Sequence, residues 1–156
     1  MANLLGTTGT RSTGPRVSAL WSWVNHQQTK TWLEQWDGYV TGGCRGWDAF
    51  FGKFLADTWP DKEHWVICPA NRSQVEPWWL EDGYEFVRVV YMPEETDYRD
   101  RNTEIVKRSK EMYYCADYPE AHPKSKRSGT WMTVRIARNA DVPVTGMILN
   151  HEKEQV

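Results

Sequence analysis

Apolar residues fall along this chain in two rhythms: short unbroken runs, and longer stretches in which they recur every third or fourth position. The first rhythm predicts strands and the second predicts amphipathic helices. Residues 3–7 predict a strand that ends in the turn Thr8-Gly9-Thr10-Arg11. Residues 12–15 can cap a helix with Val17, Leu20, Trp21 and Val24 on one face. A polar patch over 25–30 separates these from Trp32, Leu33 and Trp36, so one long helix or two short ones fit. Tyr39-Val40-Thr41 predicts a second strand, and Trp47, Phe50, Phe51, Phe54 and Leu55 form the apolar face of the next helix.

The same reading gives a third strand over 64–68, stopped by Pro69, and a fourth over 86–91, stopped by Pro93. A polar loop with Trp78 and Trp79 joins them. Residues 100–109 predict a helix lying on the surface, 112–115 a fifth strand, and 119–127 a loop rich in Pro, Lys and Ser. Ser128 can cap a last helix through about Asn139, and 142–149 return as a sixth strand. Strands alternating with helices predict an α/β fold: a single Rossmann-like domain over 1–150 with a mainly parallel sheet of about six strands, helices on both faces, and a flexible tail over 151–156. Such sheets bind ligands outside the carboxyl ends of their strands, and the glycine-rich segments of this chain all fall at those ends.

Composition narrows the picture. Leu, Ile, Val and Phe supply only 28 of 156 residues, but 10 Trp and 7 Tyr can build the core instead. The chain has 19 basic and 21 acidic side chains, giving no strongly basic footprint, so nucleic acid is not an expected partner. No apolar run reaches the ~18 residues of a membrane span, and no basic segment followed by an apolar one opens the chain, so a cytoplasmic protein without a membrane partner is expected. Cys44, Cys68 and Cys115 are odd in number and far apart, fitting reduced thiols. The scattered Cys and His residues, with no C-x-x-C or H-E-x-x-H, give no metal site, and no cofactor is expected.

Three turns could hold an anion. Gly42-Gly43-Cys44-Arg45-Gly46 lies between a strand and a helix, where backbone N–H groups can meet a phosphate at the positive helix end. It is neither G-x-G-x-x-G nor a P-loop, and a tight turn needing positive φ is the alternative, with Arg45 favouring an anion. Ser128-Gly129-Thr130 follows Lys124, Lys126 and Arg127 and repeats the arrangement, with a plain helix cap as the alternative. Thr8, Gly9 and Arg11 mark the third turn. Arg101 could clamp a phosphate and Asn102 could read a sugar or base edge; a helix-start cluster of solvated charges is the alternative. Trp78 and Trp79 could close as a lid that stacks on a base, or simply pack their loop down.

In this order, the first glycine turn, then Gly43-Cys44-Arg45-Gly46-Trp47-Asp48-Ala49, then Arg101-Asn102, then Arg127-Ser128-Gly129-Thr130-Trp131-x-Thr133-x-Arg135-x-Ala137-Arg138 resemble the SLOG superfamily of Rossmann-like nucleotide-binding domains. The small stand-alone bacterial and phage members of its YspA-like branch are the most similar. The resemblance implies a nucleotide-derived ligand held across residues 43–48 and 128–130, with Trp131 beside it, and a homo-oligomer, dimer or higher. The superfamily also includes phosphoribohydrolases, whose second glycine turn carries a Glu that helps to break an N-glycosidic bond. Thr133 stands at that position here, so hydrolysis by the same route lacks its carboxylate. Asp48 is the best substitute, and Glu76, Asp97 and Asp100 are further candidates.

The expectation is therefore a protein that senses or sequesters a phosphorylated nucleoside derivative, such as an ADP-ribose-like or cyclic nucleotide signal. A nucleotide N-glycoside hydrolase or transferase is the second reading, and single-strand DNA binding of the DprA kind the third. A phage or bacterial defence context is suggested by the resemblance alone.

Overall fold

The computed structural model describes residues 2–13 and 16–149. The expected tail over 151–156 lies outside them. Six strands, β1 (Leu4–Gly9), β2 (Gly38–Thr41), β3 (Glu63–Cys68), β4 (Arg88–Tyr91), β5 (Glu111–Ala116) and β6 (Val144–Ile148), form one all-parallel sheet in the order β4-β3-β2-β1-β5-β6. The fold is the expected single α/β sheet covered on both faces. Five helices connect or flank the strands: α1 (Val17–Asn25), α2 (Gln27–Glu34), α3 (Trp47–Thr58), α4 (Tyr98–Arg108) and α5 (Gly129–Asn139).

The first helical stretch resolves into two helices because His26 is extended (φ −67°, ψ 137°) and its ring nitrogen accepts from the Gln28 N–H, capping α2. Strand alternation then sends neighbouring residues to opposite layers. Leu5, Tyr39 and Tyr113 face α1, α2 and α3 through Leu20, Val24, Leu33, Trp47 and Phe51. Leu4, Val40, Ile67 and Met112 face α4 and α5 through Ile105, Val106 and Ala137. The fourth helix is thus less superficial than its charged sequence predicts.

Aromatic side chains do replace aliphatics in the first layer. Trp47 is fully buried, stacks on Phe51 at 4.6 Å, and donates from Nε1 to Thr7 Oγ1 at 2.6 Å. Trp23, which periodicity leaves unassigned, stacks on Tyr113 at 5.2 Å. Trp21 departs from expectation: it is 47% exposed, meeting Phe50 edge-on at 4.9 Å. Among the described residues no helix is long and apolar enough to cross a membrane, and no group of His, Cys, Asp and Glu is placed to hold a metal ion.

The strand order fixes where a ligand can enter. The chain winds outward from β1 through β2 and β3 to β4, then returns across the sheet to place β5 on the other side of β1. Connections leaving β1 and β5 diverge there, opening a crevice at their carboxyl ends.

Candidate functional site

A cleft of about 500 Å³ occupies that crevice. Its floor is the end of β1 and the turn beyond it, Thr8 to Ser12, and Asp117 just past β5; its walls are Tyr98, Arg101 and Asn102 of α4 and residues 127–130 and Met132 at the start of α5. A larger groove of about 750 Å³ runs between Trp21 on α1, Phe50 and Phe54 on α3, and the 76–81 turn. It runs along α3 from Thr13 and Gly46, whereas the smaller cleft holds the end of β1 and Asp117 beyond β5, where the topology builds a site.

Four cationic side chains, Arg11, Arg101, Lys124 and Arg127, border the cleft against two carboxylates, Asp48 and Asp117. In a chain with net charge −2 this is a local excess of positive charge. At the start of α5, Ser128 is the N-cap and its Oγ accepts from the Trp131 N–H at 3.2 Å. The N–H groups of Gly129 and Thr130, at the first two helical positions, make no hydrogen bond within the described residues and are the unsatisfied donors of a helix start. Gly129 is exposed, with nothing within 4 Å of an added Cβ, and Thr130 is 6% exposed although it lines the cleft.

The turn 42–46 is arranged differently. Gly43 and Gly46 have φ of 76° and 82°, so these positions need glycine for conformation. The Asp48 carboxylate folds back over the turn, accepting the Cys44 N–H at 3.2 Å, and lies 3.9 Å from Arg101 Nη1. Arg101 also donates to the Gly42 carbonyl and, from Nε, to Asn102 Oδ1 at 2.8 Å. Added Cβ atoms on Gly42 would strike Asp48 and Arg101, and one on Gly46 would strike the Arg11 backbone. The Trp47 N–H at the helix start is taken by the Thr10 carbonyl at 2.9 Å. The expected phosphate turn is therefore filled by the protein's own ion pair, and Gly42 and Gly43 do not line the cleft. Arg45 is exposed and also lies off the cleft, while Cys44 reaches it.

Burial pushes the Asp48 carboxyl above its usual range, and the Arg101 guanidinium opposes the shift. Burial likewise raises the Cys44 thiol, and it raises Cys68 to about 12, so neither is an activated nucleophile. Arg101 and Asn102 are 7% and 3% exposed. Both touch the cleft, but Arg101 is a structural cation held by Asp48 rather than a free phosphate clamp.

For Trp78 and Trp79 the packing reading is the one observed, whereas the placements of Trp131 and of the substitute carboxylates are corrected. Trp78 and Trp79 are each 6% exposed and pack against Ala49, Ala56, Val66 and Cys68, so they hold their loop down and form no lid over the cleft. Trp131 is buried against Tyr114, and its Nε1 donates to the Tyr118 carbonyl at 2.9 Å, which directs the indole away from the cleft. Among the substitute carboxylates, Asp97 and Asp100 cap each other's backbone N–H at the start of α4, and Glu76 lines the other groove. Thr133 is fully buried, its hydroxyl donating to the Gly129 carbonyl at 2.9 Å.

Lys124, from the basic stretch before Ser128, lines the cleft as well, and Asp117, Tyr98 and Met132 complete it, although residue patterns alone do not single out these three. Asp117, whose carboxylate accepts from Thr10 Oγ1 at 2.8 Å, follows the strand that neighbours β1. Strand order would have pointed to it. No family model, curated protein or solved structure matches the chain in comparisons with known proteins.

Proposed function

We propose that the cleft binds a phosphorylated nucleoside derivative, with a phosphate at the Gly129 and Thr130 N–H groups and charge neutralised by Arg127, Lys124 and Arg11. The observation that carries this reading is the open start of α5, with two unpaired N–H donors, at the point where the connections from β1 and β5 diverge. The resemblance of the Arg127-Ser128-Gly129-Thr130 segment to SLOG domains supports the same ligand class. Recognition without turnover is favoured because the Asp48 carboxylate is held by Arg101 and the Cys44 N–H, and Asp117 accepts from Thr10.

Thermal denaturation with a panel of nucleoside phosphates, ADP-ribose and cyclic nucleotides tests the proposal, together with mass spectrometry of small molecules released on heating. A ligand at a hundred times its Kd stabilises by about 2.7 kcal/mol, or roughly 5–10 °C in a chain of this size. Chromatography of the incubated mixtures for free base separates binding from hydrolysis. No shift with any member of the panel and no co-purifying nucleotide would overturn the assignment.

A further inference from the structure

The start of α5 forms one wall of the cleft, and α4 brings a flat aromatic side chain to another. Tyr98 is the first residue of α4, and its ring lines the cleft. Its hydroxyl donates to the Asn71 carbonyl at 3.4 Å, which ties the outer end of the ring to the neighbouring loop. The guanidinium carbon of Arg11 lies 4.6 Å from the ring centroid. Arg11 is exposed, and within the described residues its guanidinium makes no hydrogen bond or close ion pair; it stacks on the ring and acts on Asp48 only through longer-range charge. Arg101 lies 5.6 Å from the same ring but is fixed below by Asp48 and the Gly42 carbonyl.

We infer that Tyr98 is the platform on which an aromatic base of the ligand stacks, in the place taken here by the Arg11 guanidinium, and that the displaced Arg11 pairs with the ligand's phosphate. This rests on the reading of the cleft as a nucleotide site and adds which end takes the base. A guanidinium and a nucleobase are both planar π groups that seat on a tyrosine face, and the base is the larger. Arg11 is the cation suited to exchange because it is exposed and stacked, whereas Arg101 is buried and paired. One cleft of about 500 Å³ holds both the ring and the start of α5, so a single molecule with a flat ring at one end and a phosphate at the other matches it.

Equilibrium binding of the four common nucleoside monophosphates and of ribose 5-phosphate, which lacks a base, provides the test. Wild-type protein is expected to bind at least one nucleotide about tenfold or more tighter than ribose 5-phosphate. Tyr98→Leu should remove that advantage and leave ribose 5-phosphate binding within about twofold, which also shows that the variant is folded. Tyr98→Phe should keep the advantage, and Arg11→Ala should weaken nucleotide more than ribose 5-phosphate, which has no base to displace the guanidinium from the ring. Tight nucleotide binding that Tyr98→Leu leaves unchanged, or equal affinity of wild type for nucleotide and ribose 5-phosphate, overturns the platform while the phosphate site stands. Binding of neither class overturns the nucleotide site itself, and the platform with it.

Discussion

The two strand-to-helix turns that look alike in sequence, 42–46 before α3 and 128–130 before α5, have opposite interiors. Each joins the sheet side of the molecule to a helix start rich in N–H donors. In the first, a carboxylate four residues from Cys44 returns to the turn, a buried arginine pairs with it, and the Thr10 carbonyl takes the leading helix N–H. In the second, the serine cap satisfies one donor and two remain open beside a cleft with excess positive charge. A helix start needs an electronegative partner, and the chain can supply it internally or leave the position for a solute. The difference teaches that glycine content marks a turn, whereas the fate of the N–H groups marks a site.

The sharpest way to break this comparison is to remove the internal cation. Arg101→Met should leave Asp48 buried without its counter-charge and cost about 3–5 kcal/mol by urea denaturation. A loss below about 1 kcal/mol would mean that the pair does not hold the turn. The deficit has a direction with pH. A carboxyl raised in the folded state contributes stability below its unfolded value and loses that contribution as pH rises through the folded one. Removing Arg101 takes away the group that opposes the rise, so the variant should be closest to wild type in mild acid and furthest from it near neutrality.

One substitution made at both turns comes next. Gly46→Ala forces φ of 82° on alanine and drives its Cβ into the Arg11 backbone, and it should destabilise by about 1–3 kcal/mol or more. Gly129→Ala meets open space at the first position of a helix and should leave stability unchanged or raise it by up to about 1 kcal/mol. Equal losses would erase the distinction between a closed and an open turn. Ser128→Ala should cost about 1 kcal/mol through the lost cap, measured as a lowered denaturation midpoint. Smallest in stability is Arg127→Ala: its side chain is exposed, so the midpoint should move by less than about 0.5 kcal/mol, while affinity for the phosphorylated ligand falls. A midpoint loss as large as that of the cap would make Arg127 structural.

The alternation of apolar runs and helical periods located all six strands and the helices, because burial on both faces of a parallel sheet imposes those patterns directly. Ser128 as a cap and the turn after β1 were legible for the same local reason. Strand order was not, since it depends on pairing between distant segments, and with it went Asp117 and Tyr98. Whether the turn at 42–46 is open or closed is not legible, because sequence cannot tell whether Asp48 turns inward. For Trp78 and Trp79 a signal was present. Ala49, Gly52 and Ala56 recur at spacings of three and four on α3, and this small-residue stripe is where the loop seats, with an added Cβ on Gly52 only 3.2 Å from the Trp78 ring.

The central position of β1 also bears on how the chain is made. Leu4–Gly9 precedes every other strand described, and one of its two edges is completed by Glu111–Ala116. Until that fifth strand pairs, β1 presents an unpaired edge, and only the β2 side of the sheet can assemble around it. Parallel pairing at such separation is slow to close, because loop entropy opposes the contact before it forms. The floor of the cleft joins segments far apart in the chain, the turn at 8–12 and Asp117, so it takes shape only once β5 has paired with β1.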